Sequence, residues 1–227
     1  MLDTSMDQVE IFSIIRNKIG KIRETKSKPV RVGINGIEGT GKTTFAIALV
    51  KYLNQQNCTA YHVGIDGFHF NKEVRYRQGR DSAKGYYEDS YDENAFVEKV
   101  LLRSQQTPPE YIEATHDLLT DAYLELPPTS LNDESVIITD GCYLFKPVFN
   151  KYWDLRVYLK TDFDTALVRG AERDKVALNG YENAKQKFKL RYHKASKRYI
   201  AEVNPEELAD IIIDMTNFEN MAILSGI

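Results

Sequence analysis

Eight consecutive residues, Gly36-Ile37-Glu38-Gly39-Thr40-Gly41-Lys42-Thr43, fit the pattern G-x-x-x-x-G-K-[ST]. Glycines at these places let the main chain wrap closely around phosphate oxygens and turn several N–H groups inward. A helix opening at about Lys42 adds the partial positive charge of its N-terminus. In such a loop Lys42 reaches the β- and γ-phosphates and the Thr43 hydroxyl binds Mg²⁺, with Thr44 completing the first helical turn. ATP and Mg²⁺ are therefore expected over residues 36–44. The bland alternative is a chance glycine turn, which arises in roughly one chain in a hundred of this length. Here the motif also follows a β-rich run and precedes a helical one, which is the context it requires.

A phosphate cradle does not by itself separate kinases from switches or motors. A guanine-reading Asn-Lys-x-Asp is missing, since Asn71-Lys72-Glu73-Val74 lacks the aspartate, and no LSGGQ transporter signature occurs. A small-molecule kinase needs a carboxylate facing the acceptor hydroxyl. Asp66, at the end of the second β-rich run, would lie near the γ-phosphate and accept the hydroxyl proton; a strand-end cap is its other reading. Asp140 closes the apolar run VIITD, where a carboxylate holds Mg²⁺ directly or through water; capping the next turn is the alternative. Arg169 and Arg173 share a helix face, so both guanidinium groups can offset charge on the transferring phosphoryl group, or else pair with Glu172 or Asp174. His69 falls beside Asp66, where it orients the acceptor or simply packs.

The residues that carry this chemistry resemble the uridine kinase, phosphoribulokinase and bacterial pantothenate kinase family. The resemblance rests on GINGIEGTGKTT followed by VGIDGFHF and extends from about residue 30 to 223. It implies that Asp66 is the catalytic base and that lid arginines act where Arg169 and Arg173 stand. Tyr111-Ile112-Glu113-Ala114-Thr115-His116 is similar to the segment with which uridine kinases contact the pyrimidine, which would make Tyr111 and His116 substrate-binding. The segment 84–92 is more similar to pantothenate kinases and sugar-kinase-like relatives. Residues 216–223 are loosely similar to the loop beside the adenine, which would place Asn217 there. Where uridine kinases continue from that histidine with Ser-Arg, this chain has Asp117-Leu118. The expected activity is phosphorylation of a uridine- or cytidine-type nucleoside. The rivals are pantothenate, a sugar or another nucleoside as acceptor, and a non-catalytic nucleotide-binding regulator.

The elements that must position these groups follow from period and punctuation. Runs 30–35, 59–66, 135–140, 155–160 and 209–215 read as strands. Segments 42–56, 93–106, 163–174 and 181–203 read as helices, as does 1–28, whose Val9, Phe12, Ile15 and Ile19 form an apolar stripe. Strand–helix alternation implies an α/β fold: a doubly wound, mostly parallel sheet with a helical lid over about 170–185. All 227 residues are expected to form one kinase domain. The tyrosine- and arginine-rich stretch 75–94 and the proline-flanked stretch 107–132 read as loops that cover the site. Lys187, Arg191, Lys194 and Arg198 make a basic stripe read as a solvated face, from which Arg191 or Lys194 reaches a ligand in the rival reading.

A net charge of −3 argues against nucleic acid or an anionic membrane as partner. No apolar run is long enough for a membrane span. Cys58 and Cys142 have no metal-ligand spacing and read as reduced thiols of a cytoplasmic protein. The expected partner is a small-molecule substrate, and a homo-oligomer is left open.

Overall fold

The computed structural model describes residues 6–226. Helix α1 spans Gln8–Arg23 and begins at a capping box: Asp7 Oδ1 accepts from Glu10 N, and the Glu10 carboxylate accepts from Asp7 N. Residues 1–5 of the predicted N-terminal segment lie outside the described residues. The stripe that packs is Ile11, Phe12, Ile15 and Ile19, whereas Val9 is 58% exposed. Val9 precedes the stripe by less than a turn and points away from it.

Strand β1 (Val30–Asn35) runs into the glycine loop and helix α2 (Lys42–Gln55). Strands β2 (Ala60–His62), β3 (Val136–Gly141), β4 (Leu155–Lys160), β5 (Ile211–Asp214) and β6 (Ala222–Ser225) complete a six-stranded sheet in the order β6-β5-β4-β1-β3-β2. The four pairs from β2 to β5 are parallel, and only the edge strand β6 is antiparallel. This is the mostly parallel α/β sheet expected from the alternation. Helices α1 and α2 cover one face, where the Phe12 and Phe45 rings meet edge to face at 5.1 Å. The other face carries Phe68, Phe96, Phe149, Trp153 and Tyr199. Burying each such aromatic side chain contributes about 1.5–3 kcal/mol, so both layers hold the sheet. Among the described residues no helix is long and apolar enough to cross a membrane.

Several boundaries differ from the sequence expectation. The second strand stops at His62, and Ile65–Phe68 forms a 3₁₀ turn, so Asp66 sits on a turn beyond the strand. The apolar run continues because Val63 and Ile65 still pack inward, which makes burial outlast the hydrogen-bonded ladder. The stretch 107–132 is two small antiparallel ribbons, Glu110–Tyr111 with Thr129–Ser130 and His116–Asp117 with Ala122–Tyr123. Within 75–94, helix α3 (Ala83–Asp89) forms behind the Ser82 cap. Helix α4 (Phe163–Asp174) is followed by a turn through 175–180 and by helix α5 over 181–203, so the segment 170–185 expected as a lid is the end of one helix, a turn and the start of the next. Helix α5 is interrupted by a π-helical turn, Phe188–Tyr192. The wider turn rotates the downstream residues relative to a 3.6-residue pattern, so Arg191 is buried instead of lying on a solvated stripe.

Candidate functional site

The glycine loop joins the C-terminal end of β1 to α2, and two of its residues adopt conformations that exclude a Cβ. Gly39 has φ +89°, and a Cβ there would sit 2.0 Å from the Ala166 carbonyl oxygen; Gly41 caps α2 at φ +95°. Gly36 and Thr40 are buried in the same turn, and Lys42 Nζ donates to the Ile37 carbonyl at 2.9 Å. Burial opposes the Lys42 charge, but the neighbouring Cys142, Glu38 and Asp140 outweigh it and raise its pKa. Lys42 is thus a buried cation at the start of α2, with Glu38 and Asp140 as its acidic neighbours. Glu38 is buried too: it accepts from Ser196 Oγ at 2.5 Å and from Tyr143 OH at 3.2 Å, tying the loop to α5. A cleft of about 430 Å³ opens over Gly41, Lys42, Thr43 and Thr44 and is rimmed by Arg169, Arg173 and Phe218.

Asp140 is the next-to-last residue of β3, beside this loop. Its Oδ2 accepts from Thr43 Oγ1 at 2.6 Å, and its Oδ1 lies 2.6 Å from His62 Nε2. Among the described residues no group of three or more His, Cys, Asp or Glu is arranged to hold a metal ion. A hydroxyl and one carboxylate are nevertheless a fitting donor set for Mg²⁺, which takes oxygen ligands and is bound through one or two carboxylates together with substrate phosphates.

Asp66 is the exposed carboxylate of the site, with 68% of its side chain accessible. It accepts from Tyr91 OH at 3.2 Å, and His69 Nδ1 lies 2.8 Å from its carbonyl oxygen. The His69 ring lies against that of Tyr91, tilted by 43° with centroids 4.4 Å apart. Burial lowers the His69 pKa more strongly than Asp66 raises it, so this imidazole is neutral near pH 7. A second, smaller cleft of about 160 Å³ runs from Asp66 and His69 to Arg75, Ser90, Arg191 and Tyr192.

The remaining expected residues fall in different places. Arg169 donates to the carbonyls of Met215 and Thr216, both at 2.7 Å, and its guanidinium lies 3.8 Å from the Phe218 ring centroid. Arg173 is exposed and pairs with Asp174 at 2.7 Å, a contact that, ahead of burial, sets its pKa above the ordinary guanidinium value. Asn217 is exposed and accepts from Glu219 N, while its neighbour Phe218 lines the nucleotide-side cleft. Tyr111 packs against Tyr61 and outside the smaller cleft. The His116 ring is fully buried against Tyr123; its Nε2 lies 3.3 Å from Asp121 without hydrogen-bonding alignment. Its ribbon reaches the smaller cleft through Leu118 instead.

Sequence reasoning passed over His62, Tyr91 and Arg75. His62 stands in the β-rich run 59–66 and Tyr91 in the segment 84–92, but nothing in their spacing named their partners. Arg191 stood out as part of a basic stripe and, with Lys194, as a residue that reaches a ligand in the rival reading. In the structure its guanidinium donates to the carbonyls of Gly79, Arg80 and Ser82 and pins the segment that carries Arg75 and Tyr76.

Known proteins bear on this geometry. The model of the Phosphoribulokinase / Uridine kinase family matches residues 31–222. A uridine kinase of Leuconostoc citreum is 27% identical over 210 residues, covering 87% of this chain and 97% of that protein. Among solved structures, D-glycerate 3-kinase from Cryptococcus neoformans superposes with a TM-score of 0.62 at 11% identity, covering 96% of this chain and 99% of that one. Phosphoribulokinase from Rhodobacter spheroides superposes with a TM-score of 0.60 at 14% identity, covering 88% and 81%. At these identities the structures speak for a shared fold alone. The family match spans most of the chain and includes the glycine loop, Asp66 and Asp140, so this protein belongs to the phosphoribulokinase/uridine kinase family of P-loop kinases.

Proposed function

We propose that the chain transfers the γ-phosphoryl group of ATP to a hydroxyl of a small metabolite. The observation that carries this reading is the placement of Asp66: an accessible carboxylate, hydrogen-bonded by Tyr91, at the mouth of a cleft distinct from the one over the glycine loop. Asp66 takes the acceptor proton as the new O–P bond forms and the bond to ADP breaks. Lys42 and the loop amides stabilise charge on the phosphates, and Arg173 stands at the rim of the same cleft. Thr43 and Asp140 would hold Mg²⁺, which supplies charge neutralisation on the phosphate oxygens when bound.

The acceptor is first sought among uridine- and cytidine-type nucleosides, because the Leuconostoc citreum relative is named a uridine kinase. A second reading is favoured by one observation: Tyr111 and His116 do not line the smaller cleft, whereas the guanidinium-bearing Arg75 and Arg191 do. A space of about 160 Å³ with two cationic walls suits a small hydroxy acid or phosphorylated sugar.

The test is ADP release measured in parallel with nucleosides, pantothenate, sugars, sugar phosphates and small hydroxy acids, each repeated with Asp66→Asn. Acceptor-stimulated release that disappears in the variant supports the kinase reading and names the acceptor. Tight ATP binding without stimulation by any panel member would support the nucleotide-binding regulator instead.

A further inference from the structure

The Asp140 carboxylate is gripped at both oxygens by side chains from two other elements. Thr43 Oγ1 donates to Oδ2 from the first turn of α2, at 2.6 Å. His62 Nε2 lies 2.6 Å from Oδ1, and because a carboxylate only accepts, the ring N–H is the donor. We propose that His62 is a positioning residue for the divalent-cation site, holding the Asp140 carboxylate in the one rotation that presents Oδ2, together with the Thr43 hydroxyl, to the cation. The proposal rests on the reading above that Thr43 and Asp140 are the protein's oxygen ligands.

The reach of His62 follows from sheet register. His62 pairs with Ile138 across β2 and β3, so Asp140 lies two residues farther along the neighbouring strand and on the same face. A short side chain at position 62 would not span that diagonal; an imidazole does. The last torsion of an aspartate is broad and roughly two-fold, so a carboxylate held at one oxygen still rotates. With Oδ1 held by His62 that rotation stops, and the Thr43 proton, committed to Oδ2, leaves the hydroxyl lone pairs for the cation. His62 is 26% accessible and Asp140 only 7%, so their bond is largely screened from competing water. Mg²⁺ prefers oxygen ligands, which leaves the imidazole in the supporting role that outer partners of ligating carboxylates take.

The test uses Mn²⁺ as the paramagnetic probe and the full-length protein saturated with ADP, with free Mn²⁺ counted by electron paramagnetic resonance. His62→Leu is expected to weaken Mn²⁺ binding roughly tenfold, the low end of the effect of losing an outer-shell partner. His62→Gln, which keeps a donor at similar reach, is expected to stay within about threefold of wild type. ADP affinity in EDTA is expected to be equal in all three, which a general loss of structure would not allow. Should His62→Leu prove too unstable, His62→Asn removes the same reach with a polar side chain. Wild-type Mn²⁺ affinity in both His62→Leu and His62→Asn overturns the proposal. Asp140→Asn separates the two ideas: unchanged Mn²⁺ affinity there removes Asp140 as a ligand and the role of His62 with it, whereas weakened binding there with none in the His62 variants rejects His62 alone.

Discussion

Tyr91 OH donates to Asp66 Oδ1 across 3.2 Å, so the base of the proposed reaction is aimed by a buried phenol from the segment after α3. Asp66→Asn should retain ATP binding and lose at least about 100-fold in kcat with the acceptor that the panel identifies, the scale for a positioned general base. Tyr91→Phe removes one hydrogen bond, a net effect of about 0.5–1.5 kcal/mol, and should lower kcat roughly threefold to tenfold. Steady-state kinetics on both variants check this; near-normal turnover in Asp66→Asn would remove its assignment.

The Arg169 guanidinium is committed on two sides, to the carbonyls of residues 215 and 216 and to the face of Phe218. Phe218→Ala takes away a cation–π contact of about 0.5–2 kcal/mol and one wall of the nucleotide-side cleft. The KM for ATP should rise several-fold while kcat stays within about twofold, the pattern for lost uniform binding. Arg169→Ala should behave alike if its work is to hold this wall. A fall in kcat that exceeds the rise in KM would instead assign it the phosphate role implied by family resemblance.

Gly170 on α4 packs directly against Phe188 of α5. A Cβ there would stand 2.1 Å from the Phe188 ring. Because the Phe188 ring is fully buried, Gly170→Ala forces a backbone or ring shift of the overpacking kind, costing about 1–3 kcal/mol. Urea denaturation should report that loss. An unchanged midpoint would mean that α4 and α5 separate freely.

Two buried histidines link stability to pH. Burial lowers the His193 pKa below its ordinary 6.5, against the raising effects of Glu38 and Asp164, and burial does the same at His69. In both, the unfolded chain binds a proton that the folded chain does not, between the lowered value and 6.5, so stability rises with pH through that window. It is therefore complete above about pH 6.5 and falls as the medium is acidified. The urea midpoint should be lower at pH 5.5 than at pH 7.5, and His193→Asn should flatten that dependence. Asp154, which Arg31 and Lys26 hold below its ordinary 3.8 in spite of burial, loses its contribution only at lower pH and does not enter this comparison. A wild-type midpoint independent of pH from 5.5 to 7.5 would reject the linkage.

The fold was largely legible because its signals are local. A six-residue β run, a glycine loop and a helix opening at Lys42 specify the phosphate cradle within contiguous residues, and apolar alternation marks β3 and β4 to within a residue or two. The edge strand β6 and the two small ribbons were missed, since two- to four-residue strands carry too little periodicity to register. The 3₁₀ turn at Asp66 escaped for the opposite reason, as Val63 and Ile65 continue an apolar pattern after the ladder has ended.

What the chain itself determined is which groups exist for the chemistry: the glycine loop with Lys42, the Thr43 hydroxyl, and carboxylates at 66 and 140 placed near or beyond the ends of apolar strands. Those are short-range properties, set by backbone sterics and by how far each strand stays buried. Which groups touch was decided by tertiary structure alone. His62 reaches Asp140 because β2 and β3 pair in one register, and Arg191 leaves the solvated stripe because a π turn rotates it inward. Arg169 meets Phe218 because α4 packs beside the chain leaving β5. Contacts of this kind join residues dozens to more than a hundred positions apart, and no spacing rule along a chain encodes them.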